Sequence, residues 1–166
     1  CKMLSEAVKE AKGIHTMEDF ETTIDLNMDA FIPDTYISNE FQKLDIYKRI
    51  AGIETQQDYD DMLEELLDRF GEPGKAVLNL LSIAKLKAVA HRGYVTEIKQ
   101  TGKMVRITLF KDAKLNPAGI PVLMQKYRRG LQFKNEQEPK FIFEPGKDMI
   151  TSLMEFSQEL VDLVEE

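Results

Sequence analysis

Hydrophobic residues recur along the chain with two different periods, and the change of period separates helical from extended parts. Between residues 38 and 92 apolar positions lie three or four apart, which places them on one face of an α-helix. From residue 94 to residue 110 they alternate with polar positions, as in a half-buried β-strand. The pattern predicts a single α+β domain in which a helical cluster packs on a small, mostly antiparallel sheet.

An alternating segment near the start of the chain predicts a first strand over residues 22–32. Its apolar face is formed by Ile24, Leu26, Met28 and Ala30, and its polar face by Thr23, Asp25, Asn27 and Asp29. Pro33 ends it, because proline cannot donate a hydrogen bond to a sheet ladder.

Three helices are predicted to follow this strand. Ser38 is a candidate cap for the first, and Thr55, with Asp58 as a weak capping box, for the second. The apolar stripe of the first helix consists of Phe41, Leu44, Tyr47, Ile50 and Ala51. That of the second consists of Tyr59, Met62, Leu63, Leu66, Leu67 and Phe70, and Gly71 ends this helix. The third helix, about 74–92, is apolar nearly all round, which predicts that it lies at the centre of the fold.

The rest of the chain reads as two pairs of strands and two helices. Strands over 94–99 and 104–110 are joined through Thr101-Gly102, which is typical of a hairpin. Asn116-Pro117 opens a short helix that runs to about Tyr127, and 131–134 and 140–143 predict a second strand pair. The last helix has its apolar positions at Ile150, Leu153, Phe156, Leu160, Val161 and Val164.

The first residues predict a helix end that belongs to an upstream unit. Leu4 and Val8 lie one helical turn apart and Gly13 follows, although the chain begins at Cys1 and the start of such a helix is missing. We therefore assign residues 1–15 to the end of a preceding helix with its linker, and residues 16–166 to the domain itself.

Composition narrows the class of protein. Of the 166 residues 43% are hydrophobic and 31% charged, which is typical of a globular domain, and the net charge is −7. An acidic chain is poorly suited to gripping phosphate backbones and favours a partner with a basic face. One cysteine excludes an internal disulfide and fits a reducing, cytoplasmic compartment. The sequence shows no leader peptide and no apolar run of the roughly 20 residues that a membrane span needs.

No constellation of residues predicts catalysis. The chain lacks a phosphate-binding GxxxxGK[ST] loop and the motifs GxSxG, HExxH and CxxC. Neither His15 nor His91 has a neighbouring cysteine or second histidine, and His91 is placed to interact with the carbonyl end of a helix. We therefore predict no catalytic residue, no cofactor and no metal in this chain.

The second predicted helix carries a dense acidic run. It consists of Asp58, Asp60, Asp61, Glu64, Glu65 and Asp68, with no basic residue between them. Asp61, Glu65 and Asp68 share one helical face, and Asp60 and Glu64 lie beside it. One interpretation is a solvated face opposite the apolar stripe. The other is a docking face for arginine or lysine of a partner, which is favoured because Lys75, Lys85 and Lys87 lie on the next helix rather than neutralising this one.

Two short clusters are basic. The first is Lys85, Lys87, His91 and Arg92, and the second is Lys126, Tyr127, Arg128 and Arg129. The second cluster is a candidate contact for a nucleic-acid backbone, with Lys126, Arg128 and Arg129 as its cations. The alternative is that these side chains only favour a helix C-terminus.

Several motifs, in this order, resemble the C-terminal domain of bacterial transcription-repair coupling factor (Mfd). They are Tyr47-Lys48-Arg49-Ile50-Ala51, then Glu64-Glu65-Leu66-Leu67-Asp68-Arg69-Phe70-Gly71 with Pro73, then Leu80-Leu81-Ser82-Ile83-Ala84-Lys85-Leu86-Lys87. The segments Ile24-Asp25-Leu26 and Ala30-Phe31-Ile32-Pro33-Asp34 fit the same family, and residues 3–8 look like the end of its helicase motor.

The resemblance implies a regulatory function. Proteins of that family recognise stalled RNA polymerase, displace it with an ATP- and Mg²⁺-dependent double-stranded-DNA translocase, and recruit UvrA. Their C-terminal domain docks on a UvrB-like module, hides its arginine-bearing UvrA-binding surface and restrains the motor. Glu65 and Asp68 match the family's positions for this contact, so Asp61, Glu64, Glu65 and Asp68 are our candidate docking face. The resemblance places no catalytic residue in this chain.

Overall fold

A five-stranded sheet forms one half of the fold. The computed structural model describes residues 20–127, 130–146 and 148–164. The strands are β1 (Thr23–Asp25), β2 (Val95–Thr101), β3 (Met104–Leu109), β4 (Leu131–Lys134) and β5 (Lys140–Phe143), in the order β1-β2-β3-β5-β4. The strands β1 and β2 are parallel, and the other pairings are antiparallel. The predicted mostly antiparallel sheet is confirmed, whereas the predicted helix end and domain boundary within residues 1–15 lie outside the described residues.

The β2–β3 hairpin follows from one glycine. Thr101 pairs with Met104, so the turn is made by Gly102 and Lys103. Gly102 has a φ of +62°, a left-handed conformation that glycine adopts without steric cost. The turn signal at Thr101-Gly102 therefore predicted the hairpin correctly.

The first strand is shorter than its pattern predicts. Only three residues of the predicted strand pair with β2, and beyond them the backbone N–H of Asn27 donates to the side chain of Gln100 instead of to a backbone carbonyl. The N–H of Met28 donates to the carbonyl of Leu26, which turns the chain away from the sheet. The alternation of exposed and less exposed residues continues as far as Ile32, so the predicted faces are right, but only the first part of the segment is a strand.

Five helices make up the described helical part of the fold. They are α1 (Glu40–Ala51), α2 (Gln56–Phe70), α3 (Lys75–Arg92), α4 (Gly119–Tyr127) and α5 (Met149–Asp162). At the start of α2 the hydroxyl of Thr55 accepts the N–H of Asp58 and the Asp58 carboxylate accepts the N–H of Thr55, so the predicted capping box is formed. The cap of α1 is Asn39, whose side chain accepts the N–H of Gln42, and not Ser38 as predicted. None of the described helices is both long enough and apolar enough to cross a membrane.

The interior face of α1 differs from the predicted stripe. Ile46 and Ile50 are buried, but Phe41 is 86% exposed and Leu44 is 54% exposed. At about 3.6 residues per turn, Phe41 lies on the side of the helix opposite Ile50. Because both sides of α1 carry apolar residues, the sequence did not show which side would face the core.

Helix α3 connects two hydrophobic cores. The helical core packs α1, α2 and the first half of α3, which contributes Val77 and Leu81. The sheet core packs the strands, α4, α5 and the second half of α3, which contributes Leu86 and Ala90. The predicted central position of this helix is confirmed, and α3 holds the acidic helix α2 in a fixed relation to the sheet.

Candidate functional site

The acidic helix presents a row of carboxylates to solvent. Met62 and Leu66 anchor α2 in the helical core, so the opposite side of the helix points outwards. Asp61, Glu64 and Asp68 lie on that side and are exposed. None of the three makes an ion pair with another residue that the structure describes, and Asp61 accepts only the side-chain amide of Gln57, at 2.8 Å. We call Asp61, Glu64 and Asp68 the acidic crest.

Glu65 is turned away from the acidic crest towards α1. The Arg49 guanidinium binds it in a bidentate manner, with Nη1 donating to Oε2 and Nη2 donating to Oε1 at 2.5 Å. Arg69 adds a third bond, from Nη1 to Oε2 at 2.9 Å. The sequence missed the first contact because Arg49 belongs to another helix. Our expectation that Glu65 shares one face with Asp61 and Asp68 and is not neutralised within the domain therefore needs revision: Glu65 also braces α1 to α2.

A shallow groove of about 170 Å³ lies between the end of α1 and the side of α2. It is lined by Arg49, Gly52, Ile53, Asp58, Asp61, Met62 and Glu65. The Asp58 carboxylate accepts the backbone N–H groups of Glu54 and Thr55, and these bonds lower its pKa below the usual value. Since Asp58 is committed to the helix cap and Glu65 to two arginines, Asp61 is the carboxylate of the groove that can accept a further cation most readily.

The ion pairs of Glu65 predict a measurable pH dependence. Hydrogen bonds from Arg49, followed by those from Arg69, lower the pKa of Glu65 to about 2. A lowered pKa in the folded state stabilises the fold above pH about 4.5, and this contribution disappears as the pH falls towards about 2. The ion pairs of Glu65 are partly exposed, so we expect Glu65→Gln to lower the free energy of unfolding at pH 7 by about 0.5–1 kcal/mol.

Urea unfolding of the wild type and Glu65→Gln between pH 7 and pH 2 measures this difference. The difference in the free energy of unfolding between the two proteins should disappear as the pH falls towards about 2, because Glu65 then becomes protonated. Glu64→Gln is the matched control, because it removes the neighbouring carboxylate, which has no ion pair among the described residues. If Glu65→Gln and Glu64→Gln lower the free energy of unfolding equally, or if the loss in Glu65→Gln does not depend on pH, the stabilising role of the Glu65 ion pairs is contradicted.

The candidate nucleic-acid cluster is partly neutralised. Lys126 forms an ion pair with Glu159 on α5, and the Tyr127 hydroxyl donates to the same carboxylate at 2.6 Å. The hydrogen bond from Lys126 raises the pKa of its ammonium group. Arg128 and Arg129 lie outside the described residues. The part of this cluster that the structure describes is therefore tied to α5 rather than presented as free positive charge.

His91 anchors the start of the described chain. Its Nδ1 lies 2.9 Å from the hydroxyl of Thr22, and that hydroxyl donates its proton to the carbonyl of Val95 at 2.6 Å. His91 must therefore be the donor to Thr22. The Phe20 ring packs on the imidazole with the ring centroids 4.5 Å apart. His91 lies in the last turn of α3, as predicted, but the hydrogen bond of its ring holds Thr22 beside β2.

Two further basic side chains of the first cluster, Lys85 and Arg92, also have partners. Lys85 donates to the side chain of Gln56 at the start of α2 and lies 5.9 Å from the ring centroid of Tyr59. Arg92 donates to the carbonyl of Glu54. These contacts hold α3 against the start of α2 and leave the outward side of α2 untouched. No group of three histidine, cysteine, aspartate or glutamate side chains within the described ranges is arranged to hold a metal ion.

Known proteins share both the sequence and the fold. Residues 26–120 match the family model described as TRCF domain. The transcription-repair-coupling factor of Bacillus subtilis (strain 168) is 41% identical over 113 residues, which are 68% of this chain and 10% of that protein. The one of Staphylococcus aureus (strain USA300) is 40% identical over 120 residues, 71% of this chain and again 10% of that protein.

A solved structure agrees with these relatives. The crystal structure of a C-terminal domain of transcription-repair coupling factor has a TM-score of 0.69 and 25% sequence identity, and the match covers 86% of this chain and 94% of that one. The chain spans about a tenth of the length of the curated relatives it matches. The family model, the relatives and the fold agree, and the chain belongs to the transcription-repair-coupling factor family, as its C-terminal TRCF domain.

Proposed function

We propose that this domain regulates a transcription-repair coupling factor by docking through α2 onto a UvrB-like module of the same polypeptide. Docking would mask the surface that binds UvrA. It would also restrain the ATP- and Mg²⁺-dependent DNA translocase that displaces stalled RNA polymerase. The observation that carries the proposal is the acidic crest: Asp61, Glu64 and Asp68 face solvent side by side, and no cation of the described part pairs with them.

The charge of the domain suits an arginine-bearing partner. The chain has a net charge of −7, and like charges on neighbouring turns of α2 repel one another by a few tenths of a kcal/mol per pair. A basic surface relieves this repulsion as well as adding attraction. Each exposed contact contributes only about 0.2–1 kcal/mol, but several together can hold a switch whose states differ by a few kcal/mol. A contact of this strength can release when polymerase engages the protein.

Reversing the charge of the acidic crest in the full-length protein tests the proposal. We expect Glu64→Lys with Asp68→Lys to weaken docking and to increase the amount of UvrA captured by the purified protein. Both side chains point away from the helical core, so the melting temperature of the domain should change little. UvrA pull-down together with thermal unfolding of the same variant measures both effects.

The control is a double reversal elsewhere on the domain. Glu138 and Glu155 are exposed and lie on the β4–β5 loop and on α5, so Glu138→Lys with Glu155→Lys changes the net charge by the same amount. Unchanged UvrA capture by the crest variant, or equal capture by both variants, contradicts the proposal. Glu65 is left intact in this experiment because its reversal would place a cation against Arg49 and Arg69.

A further inference from the structure

Glu65 is already bound by cations of its own domain. Glu65 lines the groove beside Asp61 of the acidic crest, yet Arg49 and Arg69 both bind its carboxylate here. We propose that Arg49 is an internal competitor, which must leave Glu65 before an arginine of the partner can bind it and which thereby sets the strength of docking. This inference rests on the proposed function and adds a regulatory residue to it.

The bonding capacity of the carboxylate makes the competition direct. An ionised carboxylate offers about four lone-pair positions. The two Nη groups of Arg49 occupy one lone-pair position on each carboxylate oxygen of Glu65. Nη1 of Arg69 occupies the second position on Oε2. The single position left, on Oε1, accepts one N–H and cannot receive a second guanidinium in a bidentate manner. Bidentate docking therefore requires the departure of Arg49, whereas Arg69 can remain.

Arg49 is placed where such an exchange is possible. Its side chain is 42% exposed, it lines the groove between α1 and α2, and the groove is open to solvent next to Asp61 of the acidic crest. A released Arg49 can be hydrated, so its displacement leaves no buried charge. Because an exposed ion pair contributes little free energy, removing this competitor should strengthen docking about two- to five-fold.

The experiment compares Arg49→Gln with Lys48→Gln in the full-length protein. Lys48 is the neighbouring residue on α1; it is exposed and makes no ion pair with any other described residue, so both variants lose one positive charge and only Arg49→Gln frees Glu65. Stronger docking hides the UvrA-binding surface, so the apparent Kd for purified UvrA should rise about two- to five-fold in Arg49→Gln and stay near the wild-type value in Lys48→Gln. Thermal unfolding of each variant tests whether the domain remains folded.

A double-mutant cycle shows whether the effect passes through Glu65. In a Glu65→Gln background, Arg49→Gln should leave the apparent Kd for UvrA unchanged, because there is no carboxylate to release. If Arg49→Gln lowers the melting temperature, Arg49→Lys serves as a second variant: it keeps the charge but lacks the bidentate fork, and should give an intermediate Kd.

The outcomes separate this inference from the proposed function. An apparent Kd for UvrA that is unchanged or lower in Arg49→Gln, or that rises equally in Lys48→Gln, overturns the role of Arg49. If the crest variant with Glu64→Lys and Asp68→Lys still exposes UvrA binding in that case, the proposed function stands alone. If the crest variant has no effect, both proposals fall.

Discussion

Replacing Phe156 with alanine should lower the free energy of unfolding by about 3–5 kcal/mol, the largest effect we expect from a single substitution. Phe156 lies on α5 and is 0% exposed. The rings of Tyr127, Phe141 and Phe143 surround it, with centroids 5.2–5.6 Å from its own. Alanine removes a whole ring from this cluster and leaves a cavity. The strands on one side and the helices on the other hold the walls of this cavity apart, so the lost contacts are not replaced.

Urea unfolding followed by far-UV circular dichroism measures the loss. Phe41→Ala is the matched control, because the same ring is deleted at a position that is 86% exposed. It should change the free energy of unfolding by no more than about 0.5 kcal/mol. Similar losses for the two variants would mean that α5 is not packed on the sheet as the structure describes.

Leu66→Ala should lower the free energy of unfolding by about 2–5 kcal/mol, and it acts on the helical core rather than on the sheet core. Leu66 is 0% exposed and holds the acidic helix α2 in the helical core, so the shorter side chain would leave a cavity lined by apolar residues. Leu67→Ala is the matched control, because it deletes the same atoms at the adjacent position. Leu67 is 45% exposed, so this variant should lower the free energy of unfolding much less. Urea unfolding of the two variants gives the comparison.

The same variant tests whether the two cores unfold together. Because α3 contributes side chains to both, loosening the helical core should also lower the midpoint at which the sheet core unfolds. Amide or methyl NMR signals of Ile107 in the sheet core and Ile46 in the helical core report on each core separately. If both signals report the same urea midpoint of unfolding, the two cores form one cooperative unit. If Leu66→Ala leaves the midpoint of the sheet core unchanged, the two cores unfold independently.

Local patterns predicted much of this fold. The strands at 131–134 and 140–143 have the predicted bounds, and the cap at Thr55 and the glycine turn at 102 were identified from their residue types alone. These features depend on residues within one turn or one strand of each other, where backbone geometry leaves few alternatives. The exposed position of Asp61, Glu64 and Asp68 follows in the same way from the apolar stripe of α2.

Features that depend on distant residues could not be predicted in this way. Nothing close to Ile24 in sequence indicates that β1 stops pairing with β2 after three residues, because the backbone N–H of Asn27 is taken by the side chain of Gln100, which belongs to a distant strand. The partner of Glu65 depends on how α1 crosses α2. Phe41 was predicted to be buried because it lies three residues before Leu44, but packing placed the side of α1 that carries Ile46 and Ile50 against the core.

The sequence by itself determined the α+β class, the order of the helices and strands, the turn at Gly102, the cap at Thr55 and the outward acidic side of α2. Only the tertiary structure decided that Arg49 binds Glu65 and that His91 holds Thr22. The reason is physical: helical period and capping are local and act within a few residues, whereas these contacts join separate elements whose relative placement is set by the packing of two cores. The candidate docking face is therefore local in origin, and the arginine proposed to compete for it is a product of the fold.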